Sequence, residues 1–296
     1  GTYIPAPVRR VDIPKPNGGT RMLGIPTLLD RTIQQAIVMT IGDLFEDQFS
    51  DKSYGFREGR NCQQAVQRAQ KYIEDGNRWV VEMDLSKFFD RVNHDILMDR
   101  VSRVIDDKAI LKLIRRYLNA GIMEDGLVSP RLEGVPQGSP LSPLLSNIML
   151  TELDRELEER GLNHVRYADD CNIYVKSEKA AQRVLTNITK YVEGTLKLRV
   201  NRDKSGTFRP RDSVFLGYTF SKANCTRIIV AQKSVKRLWT KLHKIFNTAR
   251  GTSLGWAIKT ITPVLRGWRN YYRLDDRKKY WEEMDERIRH HLRKLI

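Results

Sequence analysis

Two aspartates stand side by side in VRYADDCNIYV, residues 165–175, between apolar, β-branched and aromatic stretches. The flanks read as one strand running in and another running out, so Asp169 and Asp170 fall at the tip of a β-hairpin. No other stretch constrains the fold as tightly. Adjacent negative charges repel, and a fold that puts them there must also supply what offsets them. Asp is common in turns, so the pair alone says little. The β-like flanks argue against a helix cap, and the spacing is not that of an EF-hand. A third carboxylate narrows the reading: the apolar strand RWVVEMD, residues 78–84, ends at Asp84. If that strand pairs beside the hairpin, Asp84, Asp169 and Asp170 converge. Two unit charges ~4 Å apart repel by about 4 kcal/mol at an effective dielectric near 20, so three together call for cations. Magnesium suits such a set, because it takes hard oxygen ligands and uses few carboxylates plus substrate phosphates. Two such ions serve an in-line phosphoryl displacement.

The rest of the chain reads as an α+β fold followed by an all-α one. Residues 8–28 form a basic β-hairpin around the turn KPNGG. A helix follows over 29–49 with Asp30 at its N-cap, and another over 62–76 ends at Gly76. One helix begins within 85–105, an amphipathic one covers 107–121, and a Pro/Gly loop leads into a long helix before residue 161. Beyond the acidic hairpin come a helix over 177–194 and short strands in KLRVN, SGTFR, SVFLGYTFS and RIIVA. From residue 231 the apolar spacing becomes three and four, as in Val235, Leu238, Trp239, Leu242, Ile245 and Phe246. Thr262 and Pro263 read as the start of a further helix. The expected division is 1–230 and 231–296.

Charge follows the same division. Residues 231–296 hold 17 Lys/Arg against 6 Asp/Glu, a net +11 out of +16 for the whole chain. Interleaved with Trp239, Trp256, Trp268, Tyr271 and Tyr272, this excess points to nucleic acid: cations displace phosphate counterions, and some rings stack on bases. Cys62, Cys171 and Cys225 show no metal-ligand spacing and read as reduced thiols of a cytosolic protein. No apolar run is long enough for a membrane span. The abrupt opening GTYIPAPVRRV leads us to expect a natural N-terminus further upstream.

Taken in order, several blocks resemble the group II intron-encoded reverse transcriptases, or maturases. They are RMLGIPTLLDRTIQ (21–34), SYGFREGR (53–60), MDLSKFFDRVNH (83–94), GVPQGSPLSPLLSNIML (134–150), RYADD (166–170), DKSG (203–206), FLGYTF (215–220) and LRGWRNYY (265–272). The resemblance spans essentially the whole chain. It implies a right-hand polymerase: reverse transcriptase fingers and palm over 1–230, then a helical thumb, the maturase X domain, over 231–296. It implies RNA-directed DNA synthesis with two Mg²⁺ ions, for which Mn²⁺ can substitute. Asp84 and Asp169 would be the principal metal ligands, with Asp170 beside them and the backbone carbonyl of Leu85 added. Lys15 and Arg21 would hold the triphosphate and Lys204 would lie near it. Gln137 would contact the incoming nucleotide. Phe89 would exclude a ribose 2′ hydroxyl, with Phe88 as its core neighbour. The implied partners are an RNA template, a DNA or RNA primer, deoxynucleoside triphosphates and intron RNA, in a cytoplasmic or organellar ribonucleoprotein. Glu58 departs from the family, which usually carries proline there. No block after the thumb resembles a DNA-binding or endonuclease segment, so target cleavage is not expected. The alternatives are a splicing-only RNA-binding maturase, a related enzyme of a CRISPR or diversity-generating system, and an RNA-directed RNA polymerase.

Overall fold

A computed structural model describes residues 2–14, 18–222 and 226–295 of the chain; Lys15 and Cys225 lie outside that range. Strands β1 (Val8–Pro14) and β2 (Thr20–Ile25) pair antiparallel as the sequence leads one to expect, from Arg9↔Ile25 to Pro14↔Thr20. Helix α1 (Leu28–Glu46) is capped by Thr27 rather than Asp30. The Thr27 hydroxyl accepts from the Asp30 backbone N–H at 3.2 Å and donates to its carboxylate at 2.6 Å. Asp30 is therefore the reciprocal partner of the cap, and it also accepts from the Tyr3 hydroxyl at 2.7 Å. Helix α2 (Cys62–Glu74) opens on a capping box between Asn61 and Gln64.

Strand β3 (Trp79–Met83) leads to a short α3 (Phe88–Arg91) and then α4 (His94–Ser102). The sequence suggested one helix here. Val92 is extended, and Asn93 restarts the helix by accepting from the Asp95 and Ile96 N–H groups. After α5 (Lys108–Asn119), the expected Pro/Gly loop contains β4 (Ile122–Glu124) and β5 (Leu127–Ser129). Asp125 and Gly126 between them both have positive φ, which marks a type I′ hairpin. The elements that follow are α6 (Ser142–Glu159), β6 (Asn163–Tyr167), β7 (Asp170–Val175), α7 (Glu178–Gly194), β8 (Gly206–Phe208), β9 (Tyr218–Phe220) and β10 (Ile228–Val230). KLRVN contributes an isolated bridge, Val200 to Leu85, rather than a strand. Helices α8 (Gln232–Ala249), α9 (Leu254–Tyr271) and α10 (Lys278–Arg293) complete the chain. Pro263 lies inside α9 instead of opening it, because Ser253 supplies the cap a full two turns earlier.

Among the described residues the strands form a sheet in order β2-β1-β4-β5, a central sheet in order β6-β7-β3-β8, and the hairpin β9–β10. The central sheet is antiparallel throughout and covered on both faces. Strand alternation decides which side chain goes where. Val81, Met83, Cys171 and Ile173 enter one core with α1, α4, α5, α6 and α7. Val80, Val165 and Tyr174 enter a second core with α2, β9, β10 and the three C-terminal helices. No described helix is long and apolar enough to cross a membrane.

Candidate functional site

Pairing of β3 with β7 runs from Trp79↔Val175 to Met83↔Cys171. The next residues are Asp84 and Asp170, so the register itself brings them to the same end of adjacent strands. Met83 and Cys171 point into the first core, and alternation turns Asp84 and Asp170 to the opposite face. Asp169 joins them from the turn. Tyr167↔Asp170 closes the β6–β7 hairpin around Ala168 and Asp169. Ala168 has φ 58°, and Asp169 is not in the positive region. This is the pattern of a II′ turn, where glycine is usual at the first position, so the alanine holds a backbone strained by ~1–3 kcal/mol.

The electrostatics match three crowded carboxylates. Burial, followed by repulsion from Asp84, raises the Asp169 carboxyl, while Arg21 and Lys204 pull it down. Asp170 is pushed up to about 6 by the protein around it, then by Asp169 and Asp84. Its side chain nevertheless reaches solvent, which screens part of that repulsion. Lys204 Nζ stands 3.5 Å from Asp84 Oδ2. The turn that carries Lys204 also braces the end of β3: Asn201 N donates to the Asp84 carbonyl at 2.8 Å, and Asp84 N donates to Ser205 Oγ at 3.0 Å.

The Leu85 side chain is buried in the core, so only its backbone can serve the site. Phe88 is 2 % exposed and belongs to the core, while Phe89 is half-buried, its ring 5.2 Å edge-on from that of Phe88. The loop carrying Gln137 is tied to both neighbours: Val135 N donates to the Phe89 carbonyl at 2.6 Å, and Gly24 N to the Gln137 carbonyl at 2.8 Å. Lys15 lies outside the described residues.

Among the described residues, no three His, Cys, Asp or Glu side chains gather closely enough to enclose an ion unaided. The donors present nonetheless fit magnesium, which takes one or two carboxylates and completes its shell from waters and substrate phosphates. Burial raises both carboxyls of the turn, and to it are added repulsion from Asp84 at Asp169 and from Asp169 and Asp84 at Asp170.

A buried network that sequence reasoning missed supports the acidic turn. Arg166 is fully buried on β6. Its Nε and Nη2 reach both oxygens of the equally buried Asp154, at 2.6–3.0 Å. Its Nη1 donates to Asn147 Oδ1 at 3.0 Å and to the Ala168 carbonyl at 2.9 Å. Burial alone would raise the Asp154 carboxyl, but the Arg166 guanidinium and His164 outweigh it and hold it below the usual carboxylate range. Asn147 Nδ2 donates to the Gly55 carbonyl at 2.9 Å. Gly55 sits so close to the turn that a Cβ would lie 2.2 Å from Ala168 N. The readable signal was on α6: Asn147 and Asp154 are seven residues apart, on one helix face. On β3, Glu82 accepts from Ser213 Oγ at 2.5 Å and Val214 N at 3.0 Å, fastening the segment ahead of β9.

That segment ends in a tight turn. Leu216 and Gly217 both have positive φ, with Phe215 and Tyr218 bonded to each other across them. A Cβ on Gly217 would lie 2.5 Å from the Tyr272 hydroxyl, so glycine lets the turn sit against α9. A groove of about 690 Å³ opens there, lined by Leu216, Arg237, Lys241, Pro263 and Tyr271 among others. Of the aromatic residues among the basic helices, Trp239 and Tyr272 are core, whereas Trp256 and Tyr271 are exposed.

Residues 13–220 match the family described as reverse transcriptase (RNA-dependent DNA polymerase). Residues 235–296 match the group II intron, maturase-specific domain. Protein YkfC of Escherichia coli K12 is 38% identical over 257 residues, covering 74% of this chain and 68% of that protein. The putative COX1/OXI3 intron 1 protein of Saccharomyces cerevisiae is 32% identical over 249 residues, 77% of this chain and 28% of its own length. The group II intron-encoded protein LtrA of Lactococcus lactis is 41% identical over 156 residues, 52% of this chain and 26% of its own. The chain thus spans little more than a quarter of the two intron proteins it matches. Among solved structures, telomerase from Candida albicans with a fragment of telomeric RNA superposes with a TM-score of 0.60 at 12% identity, over 99% of this chain and 59% of that one. Apo telomerase from Candida tropicalis gives 0.58 at 13%, over 100% and 63%. At such identities the likeness is one of fold alone.

Proposed function

We propose a function from one premise: the chain belongs to the reverse transcriptase family and ends in a group II intron maturase-specific domain. On that premise it extends a DNA or RNA primer on an RNA template with deoxynucleoside triphosphates. The observation that carries this reading is the register of β3 against β7, which sets Asp84 beside the Asp169–Asp170 turn, with Arg21 and Lys204 as the nearby cations. Asp84 and Asp169 hold divalent ions together with the Leu85 carbonyl, with Asp170 beside them. The ions are magnesium, with manganese able to substitute. When bound, such ions acidify the primer 3′ hydroxyl and neutralise charge on the triphosphate. Arg21, Lys204 and Lys15 orient that triphosphate, Gln137 contacts the nucleotide, and Phe89 excludes a ribose 2′ hydroxyl by its bulk.

Residues 1–230 serve as fingers and palm and 231–296 as the thumb. The exposed Lys233, Lys236, Arg237, Lys241 and Lys244 of α8 give the thumb a face for nucleic-acid phosphates. The likeness to intron-encoded proteins supports intron RNA as a further partner, with roles in splicing and retrohoming in a cytoplasmic or organellar ribonucleoprotein. The test is primer extension on an RNA template with magnesium. Asp169→Asn is expected to lower extension by about 10²–10³-fold or more while RNA binding stays near wild type. Undiminished extension would refute the assignment. The maturase-specific domain also favours a second reading, in which the chain folds intron RNA without polymerising. Splicing that survives Asp84→Asn, in a wild type that does not extend primers, would select it.

A further inference from the structure

Arg131 has no part in the reading above, yet its surroundings are unusual for an arginine. It lies in the loop between β5 and Gly134 and is 8 % exposed. Its Nη1 is buried with no hydrogen-bond partner among the described residues. A guanidinium keeps its charge and carries five donors in a planar fork, so a buried, unpaired N–H is costly. Asp90 is close enough to be felt, and burial works against the charge. The side chain lines a cavity of about 210 Å³ whose walls include Met22, Gly24, Phe89 and Gln137. The cavity therefore shares Phe89 and Gln137 with the nucleotide position proposed above, and Asp90 and Glu133 also line it. On β2, Arg21 and Met22 point to opposite faces. Arg21 acts with Lys204 on Asp169, whereas Met22 faces the cavity.

We propose that Arg131 contacts the template, its unpaired Nη1 taking a backbone phosphate of the single strand just ahead of the insertion position. The inference rests on the polymerase reading for the identity of that strand. The incoming triphosphate offers the same acceptor chemistry, but it belongs on the Arg21 face. An arginine suits this place because its planar fork meets phosphate in two directions at once.

The test compares Arg131→Gln and Arg131→Lys with wild type, using fluorescence polarisation of labelled primer–templates that share one duplex and carry a minimal or a long 5′ template overhang. Arg131→Gln is expected to weaken binding of the long-overhang substrate about tenfold and leave the minimal one nearly unchanged. It is also expected to flatten the slope of log affinity against log salt by about 0.7 for one lost single-strand phosphate contact. Arg131→Lys keeps the charge but not the fork; it is expected to retain the slope and lose part of the affinity. Should the Gln variant fail to fold, the Lys variant decides by the same comparison. Equal affinities of variant and wild type for the long overhang would overturn the proposal. So would a raised KM for nucleotide with overhang dependence intact, because the acceptor would then belong to the triphosphate. If wild type binds but extends no primer, the polymerase reading fails, while the binding comparison still judges Arg131.

Discussion

Arg166 and Asp154 show how much of the site depends on side chains that never reach it. The pair is completely buried, and Nη1 of Arg166 reaches both Asn147 Oδ1 and the carbonyl of Ala168 in the strained turn. Removing either partner leaves a charge uncompensated inside the protein, at a cost of about 3–5 kcal/mol. Replacing both at once, as Arg166→Met with Asp154→Leu, removes the charges together and is expected to return most of that stability. Turnover is not expected to return with it, because the Ala168 carbonyl still lacks its donor. Urea midpoints and primer-extension rates measured on the single and double variants check this. Recovery of both would make the network a matter of stability alone. At this scale the acidic residues were legible and Arg166 was not, for a physical reason. A carboxylate ending an apolar strand breaks the pattern of its neighbours, whereas an arginine within HVRYA looks like the outward member of an alternating strand. Only the packing of helices on both faces of the sheet shows that there is no outward side.

Elements were legible where a cap or a sustained period announced them, as in α2 and α7, and less so where a loop was shaped by what it touches. The loop carrying Gln137 is the clearest case. It is anchored by His94, the first residue of α4, whose Nε2 donates to the Gly134 carbonyl at 2.7 Å and whose Nδ1 lies 3.2 Å from the Asn119 side chain. Burial depresses the pKa of His94, while those two hydrogen bonds oppose the shift. A depressed histidine binds its proton less readily when folded than when unfolded. The stability it contributes is therefore complete above the unfolded value near 6.5 and is lost as pH falls below it toward the folded pKa. His94→Gln is expected to be less stable by about 1 kcal/mol at about pH 7.5. Its melting temperature should then fall less than that of wild type on going to about pH 5.5. Identical falls in the two proteins would show that the other titrating groups, and not His94, carry the pH dependence. No local pattern in GVPQGSP reveals this anchor, because it comes from a residue forty positions earlier.

At the scale of the molecule, the sequence changes character near residue 231, but the core does not divide there. Val80, Val165 and Tyr174 of the central sheet share a cluster with Leu238, Trp239, Leu242, Ile261 and Met284 of the basic helices. Hydrophobic period reports which face of an element is apolar, not which neighbour covers it, so the join was invisible in the sequence. Asp275 is the polar counterpart of that join. It is fully buried; its carboxylate accepts from Val230 N at 2.9 Å and from Arg277 Nε and Nη2 at 2.9 and 2.5 Å, tying the end of β10 to the start of α10. Asp275→Asn keeps the shape, removes the charge that balances Arg277, and turns one acceptor into a donor facing a donor. We expect a loss of about 2–4 kcal/mol. Because the apolar cluster crosses the join, neither part can open without exposing the other. Calorimetry should therefore show one transition that moves as a whole to lower temperature. Two separate transitions, with only the first displaced by the substitution, would mean that the basic helices fold independently of the sheet they cover.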